Sequence, residues 1–331
     1  MKDLRVGLLG AGRIGRIHGS NVARFEGATL AAVADADAGA SNRLAAETGA
    51  KALDLNQIID APDIDAVMIC TPTDTHAELI ERAAARGKAV FCEKPVDLST
   101  DRIRACLAAV DKARIPLMIG FNRRFDPNFA ALKRRLDDGV AGKIELLSVI
   151  SRDPNPPPVD YVKRSGGLFR DMMVHDLDMV RFLLGEDPVE VHAVGSALVD
   201  PAIGAAGDVD TAAVLLKTAS GKIAQITNSR RATYGYDQRI EVHGSAGMLR
   251  AGNLHETTVE FAGKAGLSVD PVLNFFLERY ADAYRLELAA FVDAVRRGVS
   301  PSPSGQDGLK AAELADAATL SAQTGQTVKL G

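Results

Sequence analysis

The sequence lacks the features that mark several large classes of protein. It has only three cysteines, Cys70, Cys92 and Cys106, and no two of them show CxxC spacing. This odd and scattered set argues against a disulfide framework and indicates free thiols in a reducing compartment. Lysine and arginine (39) nearly balance aspartate and glutamate (43), for a formal net charge of -4. The chain therefore lacks the basic excess that a nucleic-acid-binding protein needs.

Long apolar runs are also missing. No segment approaches the roughly 20 consecutive apolar residues of a membrane-spanning helix. Residues 1–5 run directly into a strand-like segment, with neither a hydrophobic leader core nor a twin-arginine signal. We therefore expect a cytoplasmic protein with no membrane partner and no nucleic-acid partner.

The chain has enough residues for about two globular domains. In the first third, apolar runs at 6–9, 30–34, 66–70, 88–92 and 117–120 alternate with helical patterns. Continuous apolar strands separated by helices predict a parallel sheet that helices cover on both faces. We assign residues 1–121 to a Rossmann domain of the α/β class.

The pattern changes from about residue 122. A helical stretch at 128–138 precedes strand-like runs at 143–152, 189–199, 209–217, 222–230 and 239–243. Few helices separate these runs, which predicts an open, mostly antiparallel sheet in an α+β domain over 122–331. Helical spacing returns from about residue 280. Because residues 211–216 are apolar on both faces, we expect a second subunit to cover one face.

The first turn, residues 10–15, reads GAGRIG and matches the GxGxxG pattern directly after a strand. Gly10 permits the tight turn, Gly12 lets a pyrophosphate approach the backbone, and Gly15 lets the helix pack closely on the strand. The helix then presents free N–H groups to the phosphates, and Arg13 and Ile14 belong to this predicted cofactor site.

Asp35 ends the second strand-like run, where this motif expects a carboxylate. It would accept hydrogen bonds from the adenosine ribose and would repel the 2′-phosphate of NADP. We therefore predict NAD as the cofactor. The alternative is that Asp35 is an ordinary turn residue.

Further cofactor contacts are predicted where other strands end, because ligands of doubly wound sheets bind beyond the carboxyl ends of the strands. Thr71 and Pro72 follow the third run, and Glu93 and Lys94 follow the fourth. A lysine in such a cleft can hydrogen-bond the reacting hydroxyl and stabilise negative charge that develops there. A lone lysine is more often a solvated charge, so the Glu93-Lys94-Pro95 triplet alone is weak evidence for a catalytic lysine.

A second polar constellation lies between residues 166 and 185. With helical spacing over about 169–184, Asp171, His175 and Asp178 fall within about 60° of one another, and apolar residues fall opposite. An imidazole is a natural general base for a hydroxyl proton, and a neighbouring carboxylate orients it. The bare residues fit two other interpretations, a surface helix with i,i+4 charge pairs and a metal site, although no further ligand cluster supports a metal.

In this order and spacing, the motifs resemble the glucose–fructose oxidoreductase/inositol dehydrogenase (Gfo/Idh/MocA) family. The resemblance spans nearly the whole chain. It rests on GxGxxG, on Glu93-Lys94-Pro95, and on the GGxFxDxxxH segment that ends at His175. Within the family, residues 121–126, 151–154, 175–179, 228–239 and 241–244 are similar to those of bacterial inositol dehydrogenases.

The resemblance implies an NAD-dependent dehydrogenase that oxidises a ring secondary alcohol, with myo-inositol to 2-keto-myo-inositol (scyllo-inosose) as the expected reaction. Lys94, Asp171 and His175 match the catalytic positions of the family. His175 would take the hydroxyl proton while a hydride leaves the same carbon, and Lys94 and Asp171 would position the hydroxyl and the base.

The same resemblance implies that the polyol contacts Arg123, Asn155, Asp178 and Tyr236, besides the catalytic residues. Related enzymes carry histidine at the position matched to Asn155, which leaves the preferred stereoisomer open. The alternatives are a dehydrogenase for scyllo- or D-chiro-inositol or an aldose such as glucose, and, in another class, a non-catalytic dinucleotide-binding regulator. Family members commonly form dimers and tetramers through the C-terminal sheet, so a homo-oligomer is expected, with no metal.

Overall fold

The computed structural model describes residues 3–331, and the chain divides into two compact units. One unit comprises the residues up to Asn122 together with Ala283–Ala312, and the other comprises Arg123–Asp282 together with Glu313–Gly331. Sequence analysis placed 283–312 in the second domain, whereas the structure groups this segment with the first unit. Phe291, for example, packs edge-on against Phe91, with ring centroids 5.8 Å apart. Helical periodicity carries no information on which sheet a helix will cover.

The first unit is built on a six-stranded parallel sheet in the order β3-β2-β1-β4-β5-β6. Its central strands are buried throughout, which explains their continuous apolar runs. The strands are β1 (Leu4–Leu9), β2 (Ala28–Ala34), β3 (Lys51–Ala52), β4 (Ala66–Ile69), β5 (Ala89–Cys92) and β6 (Leu117–Ile119). This sheet and its order confirm the predicted Rossmann fold.

Five helices connect these strands: α1 (Arg13–Arg24), α2 (Ala38–Thr48), α3 (Leu55–Asp60), α4 (His76–Ala85) and α5 (Thr100–Ala113). Local chemistry sets their starts. Asp37 caps α2 by accepting from the Gly39 N–H, and Ser99 caps α5 by accepting from the Arg102 N–H. Gly12 caps α1 without a side chain, so no side chain of its own occupies that helix N-terminus.

The second unit contains a seven-stranded sheet in the order β12-β11-β7-β10-β9-β8-β15. The β7–β10 pair is parallel and the other neighbours are antiparallel, which confirms the predicted mostly antiparallel sheet. A separate hairpin projects two exposed strands. The strands are β7 (Ile144–Arg152), β8 (Pro188–Ser196), β9 (Thr211–Thr218), β10 (Ile223–Ser229), β11 (Asp237–Gly244), β12 (Gly247–Ala251), the hairpin β13 (Glu260–Gly263) and β14 (Gly266–Val269), and β15 (Val328–Lys329).

The remaining helices are α6 (Pro127–Asp137), α7 (Val159–Ser165), α8 (Gly167–Asp171), α9 (Val174–Leu184), α10 (Pro201–Ala205), α11 (Phe276–Arg279), α12 (Ala281–Arg297) and α13 (Gly305–Thr324). Helix α9 packs on β7 and carries a buried apolar side. Among residues 3–331, no helix combines the length and hydrophobicity that crossing a membrane requires. The three cysteines are free thiols.

The predicted helix over 169–184 is wrong in one respect, because it is broken into α8 and α9. The Met173 N–H donates to the Leu168 carbonyl, five residues back, and the Asp176 N–H donates to the Met173 carbonyl, three residues back. These two bonds interrupt the regular i→i−4 ladder. Asp171 and His175 therefore lie on separate helices. The prediction that they share one face with Asp178 assumed a single straight helix, which is not present.

Candidate active site

The glycines of the first turn have the geometry that the sequence predicts. Gly10 has a φ of +98°, and a β-carbon there would lie 2.5 Å from the Cys70 carbonyl oxygen. A β-carbon on Gly15 would lie 2.0 Å from the Gly10 carbonyl oxygen, which explains how α1 approaches the turn so closely. Nothing lies within 4 Å of the corresponding point at Gly12. The turn thus leaves open space over the N-terminus of α1, where a phosphate is favoured.

Asp35 fixes this turn from the end of β2. Its Oδ2 accepts from the Ala11 N–H (2.6 Å) and its Oδ1 accepts from the Asp37 N–H (2.8 Å). Each carboxylate oxygen has a second lone pair, so these bonds leave capacity for a ribose hydroxyl. The structure adds a structural role that sequence reasoning did not assign to this residue.

A cleft of about 550 Å³ opens beside the turn, and its size suits a small-molecule cofactor. It is lined by Ala11, Gly12, Arg13, Arg16, Ala40, Arg43 and Leu44. Three of these side chains are cationic, which favours the negatively charged part of a dinucleotide. The exposed Arg13 borders the cleft and the half-buried Ile14 follows it in α1.

His76 joins two other segments of the predicted cofactor site. Its Nδ1 lies 2.8 Å from the Pro95 carbonyl oxygen, and its Nε2 lies 2.8 Å from the Thr71 carbonyl oxygen. The Thr71 side chain contacts the Thr75 hydroxyl at 2.6 Å, and Pro72 is exposed. The buried imidazole therefore links the end of β4 to the Glu93-Lys94-Pro95 segment after β5. Sequence analysis had no signal for this bridge.

Glu93 and Lys94 follow β5 and are both partly exposed, and the Lys94–Pro95 peptide is cis. The Glu93 Oε1 lies 2.7 Å from the Nε2 of His18, which is fully buried in α1. Glu287 of α12 faces the same imidazole nitrogen at 4.0 Å. One imidazole and two carboxyl groups therefore meet next to Lys94, and sequence analysis missed this cluster because its members are far apart in the chain.

In the second unit, Asp171 ends α8 and is approached from two sides. The Tyr161 hydroxyl donates to its Oδ1 at 2.9 Å, and Arg230 Nη2 lies 3.6 Å from its Oδ2. Burial and the Asp171 carboxylate raise the pKa of Tyr161, which keeps this phenol protonated as a donor. His175, the other predicted catalytic residue of this unit, is half-buried in the first turn of α9.

Arg123 is buried and pairs with Asp176, whose second oxygen accepts from the Asn228 side-chain amide at 2.9 Å. Arg123 Nη2 also donates to the Ser151 hydroxyl at 3.3 Å. Burial raises the pKa of Asp176, and Arg123 opposes that effect. This buried pair explains why a charged residue lies on the apolar side of α9.

Asp178 is buried too, and it forms a two-point ion pair with Arg124. The structure thus places Asp178 in a buried pair, although the helical spacing predicted one polar face shared with Asp171 and His175. Its predicted contact with substrate stays a prediction.

The last two predicted substrate residues differ in exposure. Asn155 is exposed in the proline-rich loop after β7, whereas Tyr236 is buried edge-on against Tyr280, with ring centroids 5.9 Å apart. Asp153, at the start of the same loop, was not predicted as a site residue. Burial raises its pKa to about 6, while Arg230 and Arg123 act to lower it. A carboxyl group with a perturbed pKa is a common feature of active sites.

Comparison with known proteins gives matches along almost the entire chain. An inositol 2-dehydrogenase of Rhizobium meliloti is 55% identical over 318 residues, covering 96% of both chains. The crystal structure of a myo-inositol dehydrogenase from Corynebacterium glutamicum superposes with a TM-score of 0.96 at 45% identity, covering 99% of each chain. That of a scyllo-inositol dehydrogenase from Lactobacillus casei, with NAD(H) and scyllo-inositol bound, superposes with a TM-score of 0.92 at 30% identity, again covering 99% of each.

Two family models match successive parts of the chain. Residues 4–121 match the oxidoreductase family with an NAD-binding Rossmann fold, and residues 129–250 match the GFO/IDH/MocA C-terminal domain. Both matches agree with the folds of the two units and with the resemblance carried by the motifs. The chain therefore belongs to the GFO/IDH/MocA family of NAD-binding oxidoreductases.

Proposed function

We propose that this protein oxidises a ring hydroxyl of an inositol to a ketone with NAD as the hydride acceptor, and that myo-inositol is its substrate. The observation that carries the proposal is the 55% identity to an inositol 2-dehydrogenase over 96% of both chains. The sites agree with it, because one unit has a dinucleotide turn and the other carries Asp171 and His175 on successive helices.

The cofactor fits the residues of the first unit. The open space at Gly12 and the N-terminus of α1 suit the pyrophosphate, and Asp35 suits the adenosine ribose. Gly10 and Gly15 shape the turn. We propose that the remaining predicted residues border the same site: Arg13, Ile14, Thr71, Pro72, Glu93 and Lys94. Bound NAD supplies the hydride acceptor of the reaction.

The protein supplies the proton chemistry. His175 takes the proton of the reacting hydroxyl as the C–H bond breaks, and an imidazole suits this role near neutral pH. Lys94 donates a hydrogen bond to the same oxygen and stabilises its developing negative charge. Asp171, held by Tyr161, orients the substrate and the base. The alcohol loses a hydride and a proton and becomes a ketone.

Other ring hydroxyls are held by the predicted substrate residues. Asn155 is exposed and is proposed to contact the ring directly. Arg123, Asp178 and Tyr236 are buried, and we propose that they define the wall of the pocket. A histidine-to-asparagine difference at an exposed loop position changes hydrogen-bond geometry, so Asn155 bears on the choice among inositol isomers.

We also propose that the chain forms a homo-oligomer through its open sheet face. Strand register places Val194, Leu215, Ile223 and Leu146 on one face of the seven-stranded sheet. Each of these side chains is exposed, although a strand face of this kind is normally covered. Light scattering after size-exclusion chromatography should give the molar mass of a dimer or tetramer. The Leu215→Glu variant should give a lower molar mass. A monomeric wild type would reject this proposal.

The function is tested by NADH formation at 340 nm with a panel of inositol isomers and aldoses, with NAD and NADP in parallel. We expect the highest kcat/KM with myo-inositol and NAD. A higher value with another isomer or an aldose would keep the chemistry and correct the substrate. No turnover with any of them, despite measurable NADH binding, would favour a non-catalytic regulator.

The cytoplasmic location is a further proposal, consistent with three free thiols.

A further inference from the structure

Arg230 follows β10 directly and is one of the largest buried side chains in the described chain, with 1% of its surface exposed. Its backbone N–H donates to the Asp210 carbonyl at 2.8 Å, which fixes where the side chain begins. A buried guanidinium keeps its charge, so its donors need partners. The role of Arg230 therefore depends on which groups its guanidinium binds.

The guanidinium is left without hydrogen bonds at two of its nitrogens, Nε and Nη2. These two atoms form the edge that arginine uses to bind both oxygens of a carboxylate. Asp171 lies opposite, with its Oδ2 3.6 Å from Nη2. That distance allows an ion pair but exceeds a hydrogen bond. Two unmet donors in a buried site destabilise this arrangement, and a small approach of Asp171 would remove the defect.

The other carboxylates near this site are already engaged. Asp176 is held by Arg123 and Asn228. Asp210 accepts from the backbone N–H groups of residues 198–200. Arg230 therefore faces Asp171 as its ion-pair partner, with Asp153 as a second carboxyl group whose pKa Arg230 lowers against the effect of burial.

We propose that Arg230 is a positioning residue for the dehydrogenase reaction, and that its Nε–Nη2 edge closes onto Asp171 when the substrate binds. With the Tyr161 hydroxyl on Oδ1 and the Arg230 edge donating to both oxygens, the carboxylate presents one orientation to the reacting hydroxyl and the base. Catalytic hydrogen bonds are often long in a ligand-free enzyme and tighten in the complex. This inference rests on the proposed role of Asp171.

The test is a double-mutant cycle with myo-inositol as substrate. Arg230→Gln should lower kcat by about 10- to 100-fold, the loss expected from misplacing a reacting group. Its Kd for NADH should stay unchanged, because Arg230 is no part of the dinucleotide turn. In the Asp171→Asn background the same change should have little further effect, because the partner is already altered. Arg230→Lys keeps the charge without the two-point edge and should recover part of kcat.

Controls separate this role from simple support of the fold. Arg231→Gln changes the neighbouring exposed arginine and should leave kcat and stability as in the wild type. Equal losses of kcat from Arg230→Gln in both Asp171 backgrounds would overturn the inference. A kcat of Arg230→Gln within about twofold of wild type would also overturn it, because misplacing a reacting group lowers kcat far more. If Arg230→Gln does not fold, the cycle is run with Arg230→Lys and the same criteria apply. An Asp171→Asn variant with normal turnover would instead reject the proposed function of Asp171.

Discussion

Glu287 Oε1 lies 4.0 Å from the Nε2 of His18, and neither Glu287 oxygen has a hydrogen-bond partner among the described residues. The same imidazole nitrogen lies 2.7 Å from Glu93 Oε1. Burial, with a smaller contribution from Glu93, holds the pKa of Glu287 well above its usual range. The folded protein therefore favours the protonated form of Glu287 more than the unfolded chain does.

This difference predicts that Glu287→Gln stabilises the protein at neutral and alkaline pH. A carboxyl group whose pKa is raised by folding must take up a proton to fold, and that cost grows as pH rises above about 4.3, the value in the unfolded chain. Glutamine has no such cost. Melting temperatures should be higher for the variant at pH 8, and the gap should shrink toward pH 4.

Glu278→Gln, at an exposed position on α11, is the matched control and should show no such gap. A Glu287→Gln variant that is less stable than wild type at pH 8 would mean that Glu287 is ionised and bound to a cationic partner.

The Arg124–Asp178 pair makes a prediction about stability. Removing one partner of a buried ion pair leaves an uncompensated charge, so Asp178→Asn should lower the free energy of unfolding by about 3 kcal/mol or more. Urea denaturation measures this loss. Asp160→Asn, at an exposed surface pair, should change it by less than about 0.5 kcal/mol. A stable Asp178→Asn variant with a strongly raised KM for inositol would show instead that Asp178 mainly binds substrate.

Cofactor choice should depend on Asp35. Replacing its carboxylate with a hydroxyl in Asp35→Ser removes the repulsion of a 2′-phosphate, and Arg43 already lines the adjoining cleft. We expect the kcat/KM ratio of NADP to NAD to rise by about 10-fold or more, as loss of one repulsive contact allows. Asp111→Ser removes an exposed carboxylate of α5 and should leave the ratio unchanged. An unchanged ratio in Asp35→Ser would assign Asp35 to the turn alone.

Catalysis should depend on both Lys94 and His175. Lys94→Ala and His175→Asn should each lower kcat by about 100-fold or more, as expected when general acid–base help is lost. Binding of NADH to His175→Asn should be normal by fluorescence titration. His255→Asn changes an exposed histidine outside the seven-stranded sheet and serves as the control. Near-normal turnover in both site variants would contradict the assigned mechanism.

Much of the first unit could be predicted from sequence, because its signals are local. Buried parallel strands give continuous apolar runs. Gly10 is required by its positive φ, and Gly15 by its close approach to the Gly10 carbonyl. The very short β3 carries no such signal, since both of its residues are exposed. The exposed hairpin of β13 and β14 was missed for the same reason.

The second unit was less predictable where charges are buried. Arg124 and Asp178 are 54 residues apart, and no local pattern reveals that they pair. Helical periodicity therefore placed Asp178 on one polar face with Asp171 and His175. The irregular turn at Met173 divides the predicted helix in two. The burial of Arg230 has no local sequence signal, because basic residues are common at strand ends. These features depend on tertiary contacts, which composition and spacing do not encode.

The most direct test of the central claim uses myo-inositol deuterated at carbon 2, incubated with NAD and the wild-type protein. Mass spectrometry of the reduced cofactor should show one deuterium per molecule, with an equal amount of the ketone. Reduced cofactor without deuterium would mean that oxidation occurs at another carbon. No reduced cofactor from either labelled or unlabelled inositol, with NADH binding intact, would contradict the account of this protein as an inositol dehydrogenase.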